Sequence, residues 1–206
     1  MSTPNSARPA LVPQRRHGKE RVTALLAAAA AVIAEKGFDA ATMAEVASRA
    51  GAPIGSLYRF FPSKEVLADA LVQRYEELTR EAFVRIDAQL SQISIAALSD
   101  ALLDIVVGLH GETRTMLALL EGDAEASKKR EAFRGATRRY IARTLTLRSP
   151  KLPAATAGNM AVVLLHCMKT MAALTVKNTG KPAPGPVAEL REMTRLYLAN
   201  KLGERD

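Results

Sequence analysis

One cysteine, three histidines and the lack of any long apolar run leave whole classes of function without raw material. Cys167 has no second cysteine to join, so an internal disulfide is excluded. Without a Cys-x-x-Cys pair or a histidine-rich tract there is no metal-binding pattern either. His17, His110 and His166 stand far apart in sequence, and Cys167 adjoins His166, so those two side chains leave a helix in different directions. No GxSxG, HExxH or glycine-rich phosphate loop occurs. The expectation is a protein that is not an enzyme and needs neither cofactor nor metal. The most apolar stretch, Ala24–Ala34, is eleven residues of mostly alanine, whereas a membrane span needs about 20. Residues 1–13 have the composition of a disordered tail rather than of a signal peptide. A cytoplasmic location with no membrane partner is therefore expected.

What is present is apolar content of 48% in 206 residues, ample for a core, and a formal net charge of +8. Such a balance favours polyanionic partners without proving one. The charge is unevenly spread: residues 1–62 carry +4, residues 63–122 carry −5 and residues 123–206 carry +9. Net charge alone is thus a weak argument for nucleic acid, and a motif has to carry it.

That motif lies between Thr42 and Leu67. Two short amphipathic runs, Met43–Ala50 and Ile54–Phe61, flank Gly51-Ala52-Pro53, which has the length and composition of a tight turn between crossing helices. Thr42 and Glu45 form a capping box, and Gly51 stands where a left-handed residue would close the first helix. In the second run Leu57 and Phe61 fall four apart and face inward, which leaves Gly55, Ser56, Tyr58 and Arg59 outside. Pro62-Ser63-Lys64-Glu65 opens a further helix with Ser63 as N-cap. A cation at a helix N-terminus is unfavourable, so Lys64 points to an anion seated beside it.

With a preceding helix over about Lys19–Lys36, the pattern GF-x3-TM-x2-VA-x3-G-x3-GSLYRFFPSKE-x-L resembles the N-terminal DNA-binding domain of the TetR family of bacterial transcriptional regulators, from about Arg16 to Tyr75. The resemblance implies that Ile54, Gly55, Ser56 and Arg59 approach base edges in the major groove, while Thr42, Tyr58 and Lys64 hold phosphates. Many members carry histidine where this chain has Phe60, and there the expectation is an apolar contact with a thymine methyl or sugar.

An all-α fold is expected: a disordered arm over residues 1–15, a three-helix helix-turn-helix domain over 16–75, and a helical ligand-binding and dimerisation domain over 76–206. A long helix from Lys64 to about Gln92 links the halves. Further helices are expected near 94–109, 112–121, 124–147, 153–177 and 186–202. Residues 124–147 carry a basic face that reads as a solvated surface pairing with the long helix, a second nucleic-acid contact or the gate of an acidic ligand. Residues 154–176 are apolar nearly all round, so one side should meet the core and the other a second copy, with the 153–177 and 186–202 helices forming a homodimer interface.

Met116, Phe133, Tyr140, Met168 and Met171 are candidate walls of a small-molecule pocket, because methionine makes adaptable apolar surfaces, and His110 or Arg114 could orient a polar end. The reading is a regulator, of the repressor type, on an inverted-repeat operator of double-stranded DNA, released by a small-molecule effector of unknown identity. Two alternatives stay open: an activator or regulator switched by a protein partner, and a helical adaptor that does not bind DNA.

Overall fold

The computed structural model describes residues 10–11, 16–119, 124–176 and 184–203, and within the helices it leaves the side chains at 110, 113, 114, 117, 124–126 and 176 undescribed. Those residues form nine α-helices and no strand. They are α1 (Arg16–Lys36), α2 (Met43–Arg49), α3 (Ile54–Phe60), α4 (Lys64–Asp87), α5 (Ile95–Gly108), α6 (His110–Leu119), α7 (Ala124–Arg148), α8 (Ala154–Val176) and α9 (Pro184–Leu202). Gly122 and the tail residues 1–9 and 12–15 lie outside the described residues.

Two compact units share these helices. The first holds the described residues up to Tyr75 together with those from Arg114 to Leu119; the second holds Glu76–Thr113 and the remainder from Ala124. The second domain was expected to be continuous from residue 76. It is not, because the end of α6 packs with α1: the Thr115 hydroxyl donates to the Ala30 carbonyl at 3.1 Å, and Ala118 and Leu119 rest on the first unit's core.

In the first unit, α1 buries Leu25, Ala28, Ala29, Val32 and Ile33, a three-and-four stripe. It starts three residues before the expected Lys19, and an Arg16–Glu20 pair at 2.9 Å across its first turn stabilises the extension. The stripe meets Met43, Val46 and Ala47 of α2, Leu57 and Phe60 of α3, then Phe61, Leu67 and Leu71.

In the second unit, Phe83 and Ile86 of α4, six apolar residues of α5 from Ile95 to Val106, Ile141 and Leu145 of α7 and the buried residues of α8 from Met160 to Ala172 close one core. α4 ends at Asp87 rather than near Gln92. Its chain tightens there into i→i+3 hydrogen bonds, Gln89 N–H to Ile86 and Gln92 N–H to Gln89. The Asp87 carboxylate is then held by the Thr144 hydroxyl at 2.6 Å and lies 3.7 Å from Arg143. Arg191 of α9 bridges Asp100 and Asp104 of α5, and Arg195 adds a second contact to Asp100. The acidic middle third and the basic last third of the sequence are therefore partly partners.

α8 is long and apolar enough, by length and composition, to cross a membrane. Half of that apolar stretch is buried, and α5, α7 and α9 pack against the helix. Met160, Leu164, Leu165, Met168, Met171 and Ala172, drawn from both apolar sides, belong to this core. Val162 and Val163 of the same helix are exposed.

Candidate nucleic-acid interface

α2 begins as its sequence dictates. The Thr42 hydroxyl oxygen accepts the Glu45 amide at 3.2 Å, which leaves the hydroxyl proton free to donate outward. The second half of the expected capping box is absent, because the Glu45 carboxylate pairs with Lys36 of α1 instead. At the other end Gly51 has φ +59°, and Gly51 and Ala52 donate back to Ser48 and Ala47 at 3.1 and 3.0 Å. These two bonds close a Schellman turn that needs a left-handed residue, and glycine takes that conformation without a Cβ clash. The chain then enters α3 within three residues.

Leu57 and Phe61 are buried as expected, and so is Phe60, at 7% exposure. That overturns the expected contact of Phe60 with a thymine methyl or sugar. Leu57, Phe60 and Phe61 are spaced i, i+3, i+4 and form one inward stripe. The outward side is Ile54, Gly55, Tyr58 and Arg59, all exposed, with Ser56 half-buried between them. Ile54 and Tyr58 are each 47% exposed, which is high for large apolar bodies in the middle of a small unit. The Arg59 guanidinium lies 5.9 Å from the centre of the Phe60 ring and makes no ion pair among the described residues.

Three polar links fix this face against its scaffold. Arg49 at the end of α2 donates to Glu35 of α1 at 2.6 Å, and this hydrogen bond is the main reason its guanidinium is held further toward the charged form than usual. Lys36 and Glu45 make the second link. In the third, the Lys64 ammonium donates to the carbonyls of Phe38 and Asp39 at 3.0 and 3.1 Å and lies 4.5 Å from the Phe38 ring centre. These carbonyls, rather than a bound anion, account for a cation in the first turn of α4. One of the three ammonium protons remains for a phosphate. Ser63 caps α4 as expected, accepting the Val66 amide at 3.3 Å. A further contact had no sequence signal: the Leu11 amide donates to the Phe60 carbonyl at 3.0 Å and Ala10 packs on the core, so this part of the expected disordered arm is tied to the end of α3.

The residues expected to line a pocket are divided between the two units. Met116 belongs to the first unit, whereas Phe133, Tyr140, Met168 and Met171 belong to the second. Met168 and Met171 are core residues, and Tyr140 stacks on Phe83 with ring centres 5.5 Å apart. The side chains of His110 and Arg114 are undescribed. A cleft of about 490 Å³ opens elsewhere in the second unit, between α4 and α5. Ala82, Ile86, Ala101, Ile105 and Leu109 give it an apolar wall, and Arg85 and Asp104 stand among the polar lining. Its alanines carry no signal that a sequence reader could use.

Comparison with known proteins agrees with this geometry. Residues 25–71 match the family described as bacterial regulatory proteins, tetR family, and residues 94–198 match the tetracyclin repressor-like C-terminal domain. The HTH-type transcriptional repressor KstR of Rhodococcus jostii is 33% identical over 141 residues, 64% of this chain and 63% of that protein. KstR of Mycolicibacterium smegmatis is 37% identical over 79 residues, 38% of this chain and 35% of its own length. The match thus spans less than two thirds of these curated relatives. A transcriptional regulator from Aquifex aeolicus shares the fold with a TM-score of 0.66 at 17% identity, over 87% of this chain and 98% of that one. Since the C-terminal match alone covers just over half of the sequence and the helix-turn-helix match precedes it in order, the chain belongs to the TetR family of bacterial regulatory proteins.

Proposed function

We propose that this chain is a DNA-binding transcriptional repressor that acts in the cytoplasm as a homodimer on an inverted-repeat operator and is released by a small-molecule effector. The outward face of α3 carries the reading. Arg59 is the side chain there able to make a two-pronged contact with guanine, worth about 1–3 kcal/mol of discrimination. Ile54, Gly55 and Ser56 lie where a groove floor would be, and the hydroxyls of Tyr58 and Thr42 donate to backbone phosphates beside it. Residues 16–75 are the DNA-binding part, and the rest serves effector binding and dimerisation.

Two further features support the reading. Val162 and Val163 on α8 and Met193 and Leu196 on α9 are exposed apolar side chains on two helices that pack together, a surface suited to a second copy. Pairing through it would set the spacing of two recognition helices, which half-sites require to be about 34–36 Å or a multiple. The cleft between α4 and α5 offers an apolar effector a site on the helix that continues from the DNA-binding part. An occupant that shifts α4 would change that spacing, and the two ligands then oppose each other by a coupling of about 1–3 kcal/mol.

The test is binding of the full chain to a DNA fragment from upstream of its own gene, followed by fluorescence anisotropy at several salt concentrations. The expected result is affinity that falls steeply with salt and drops at least tenfold in a Tyr58→Ala, Arg59→Gln double variant. Affinity independent of both salt and these residues would overturn the reading in favour of an adaptor.

A further inference from the structure

α7 carries eight basic residues against two acidic ones, and three of the basic ones recur at every fourth position: Arg130, Arg134 and Arg138. Residues so spaced lie along one edge of a helix. Here the edge runs beside the buried Thr137 and Ile141, on a helix that packs extensively against α8. Lys169 of α8 is half-buried and within electrostatic reach of this edge. Its ammonium is held below the usual lysine range first by burial and then by Arg134, with Arg138 adding to the effect and Glu131 opposing it. Glu131 is already engaged, accepting from Arg138 at 2.6 Å. Neither Arg134 nor Lys169 has an ion pair among the described residues, and the Nε of Arg130 is buried with no acceptor.

Lys169, Arg134 and Arg138 share one nearby carboxylate, Glu131, and their excess charge, partly withdrawn from water, is repulsive; Arg130 continues the same helix edge one turn earlier. The Arg130 Nε, out of water and without an acceptor as are those of Arg148 and Arg195, adds one unpaired donor to this edge. An oxyanion of charge two or more would neutralise the excess and satisfy the open donors, and the planar guanidinium fork fits phosphate oxygens in pairs. We propose that the α7–α8 edge formed by Arg130, Arg134, Arg138 and Lys169 is a binding site for the phosphate monoester or diphosphate group of a small molecule. The site is separate from the recognition face of α3 and from the cleft between α4 and α5.

Inorganic pyrophosphate is the probe, titrated calorimetrically into the full chain at low salt. Binding is expected, weakened at least tenfold by Arg134→Gln and by Lys169→Gln, and restored in part by Lys169→Arg. Lys151→Gln is the control, because Lys151 is exposed and lies beyond the end of α7. It is expected to change the affinity less than twofold. Circular dichroism melting establishes that each variant is folded, and Arg134→Lys serves if Arg134→Gln is not. No binding at millimolar pyrophosphate, or an equal loss in Lys151→Gln, overturns the site. So does a parallel tenfold loss of upstream-DNA affinity in Arg134→Gln, which would make the edge a nucleic-acid contact. Intact pyrophosphate binding in a chain without affinity for upstream DNA would remove the repressor reading and leave this site standing.

Discussion

The Nζ of Lys64 lies 3.0 Å from the carbonyl oxygen of Phe38 and 4.5 Å from the centre of the same residue's ring. One ammonium thus holds the turn after α1 to the first turn of α4 through both the backbone and the side chain of one residue. A charged donor on a neutral carbonyl contributes about 1.5–3 kcal/mol where water is excluded, and less at this half-buried position. Lys64→Met is expected to lower the unfolding free energy by about 1–2 kcal/mol in urea titrations, in the absence of any DNA. Were Lys64 only a phosphate ligand, the variant would unfold at the wild-type midpoint.

Leu57 and Tyr58 are neighbours with opposite tasks, and substitution should separate stability from recognition. Leu57 is fully buried and Tyr58 is half exposed. Leu57→Ala removes core volume that α1 cannot refill, a cost of about 2–5 kcal/mol. Tyr58→Ala should stay within about 0.5 kcal/mol of wild type in the same melt. Anisotropy with upstream DNA should reverse the order for the folded variants, Tyr58→Ala losing affinity at temperatures where Leu57→Ala is still native.

The pattern of success along the sequence has a physical cause. Thr42, Gly51 and Ser63 were legible because a cap or a left-handed closure is decided within four residues. The burial of Phe60 is legible too, through its i+3 spacing from Leu57, whatever residue other chains carry at that position. Glu45 was not legible. Its carboxylate chose Lys36, nine residues away on another helix, over the local amide. The same holds for Arg191 and Arg195, whose partners on α5 are about ninety residues distant. On α8, apolar nearly all round, no period distinguishes a pocket wall from a core position, so Met168 and Met171 could be read as either.

Glu65 supplies a pH dependence with a definite sign. The Ser63 hydroxyl, and then the Glu65 backbone amide, hold this carboxyl below the usual glutamate range. A carboxyl depressed in the folded state stabilises it at pH values above the unfolded carboxyl's titration, and that contribution is lost as pH falls through the folded value. Wild type is therefore expected to melt above Glu65→Gln at pH 7, with the two midpoints converging as the pH is lowered past the ordinary glutamate range. A gap between them that stays constant down to pH 3 would assign the difference to packing instead of charge. The carboxyl is largely exposed, so added salt should narrow the gap at pH 7.

Ala10 and Leu11 tie the arm to the end of the recognition helix. The Leu11 amide donates to the Phe60 carbonyl, Ala10 rests on the core, and the Leu11 side chain remains about half exposed. A chain lacking residues 1–9 keeps this contact, whereas one lacking residues 1–13 loses it. If the contact serves to hold the C-terminal end of α3, the shorter deletion leaves both the melting temperature and the affinity for upstream DNA unchanged. The longer one should lower the melting temperature by a few degrees, as expected for about 1 kcal/mol in a small unit, and weaken DNA binding in step. If the arm instead reaches a groove with its own cation, Arg8, the shorter deletion alone should weaken DNA binding and flatten its salt dependence, with no change in melting. Measuring both quantities on both deletions separates a brace for α3 from a second DNA contact.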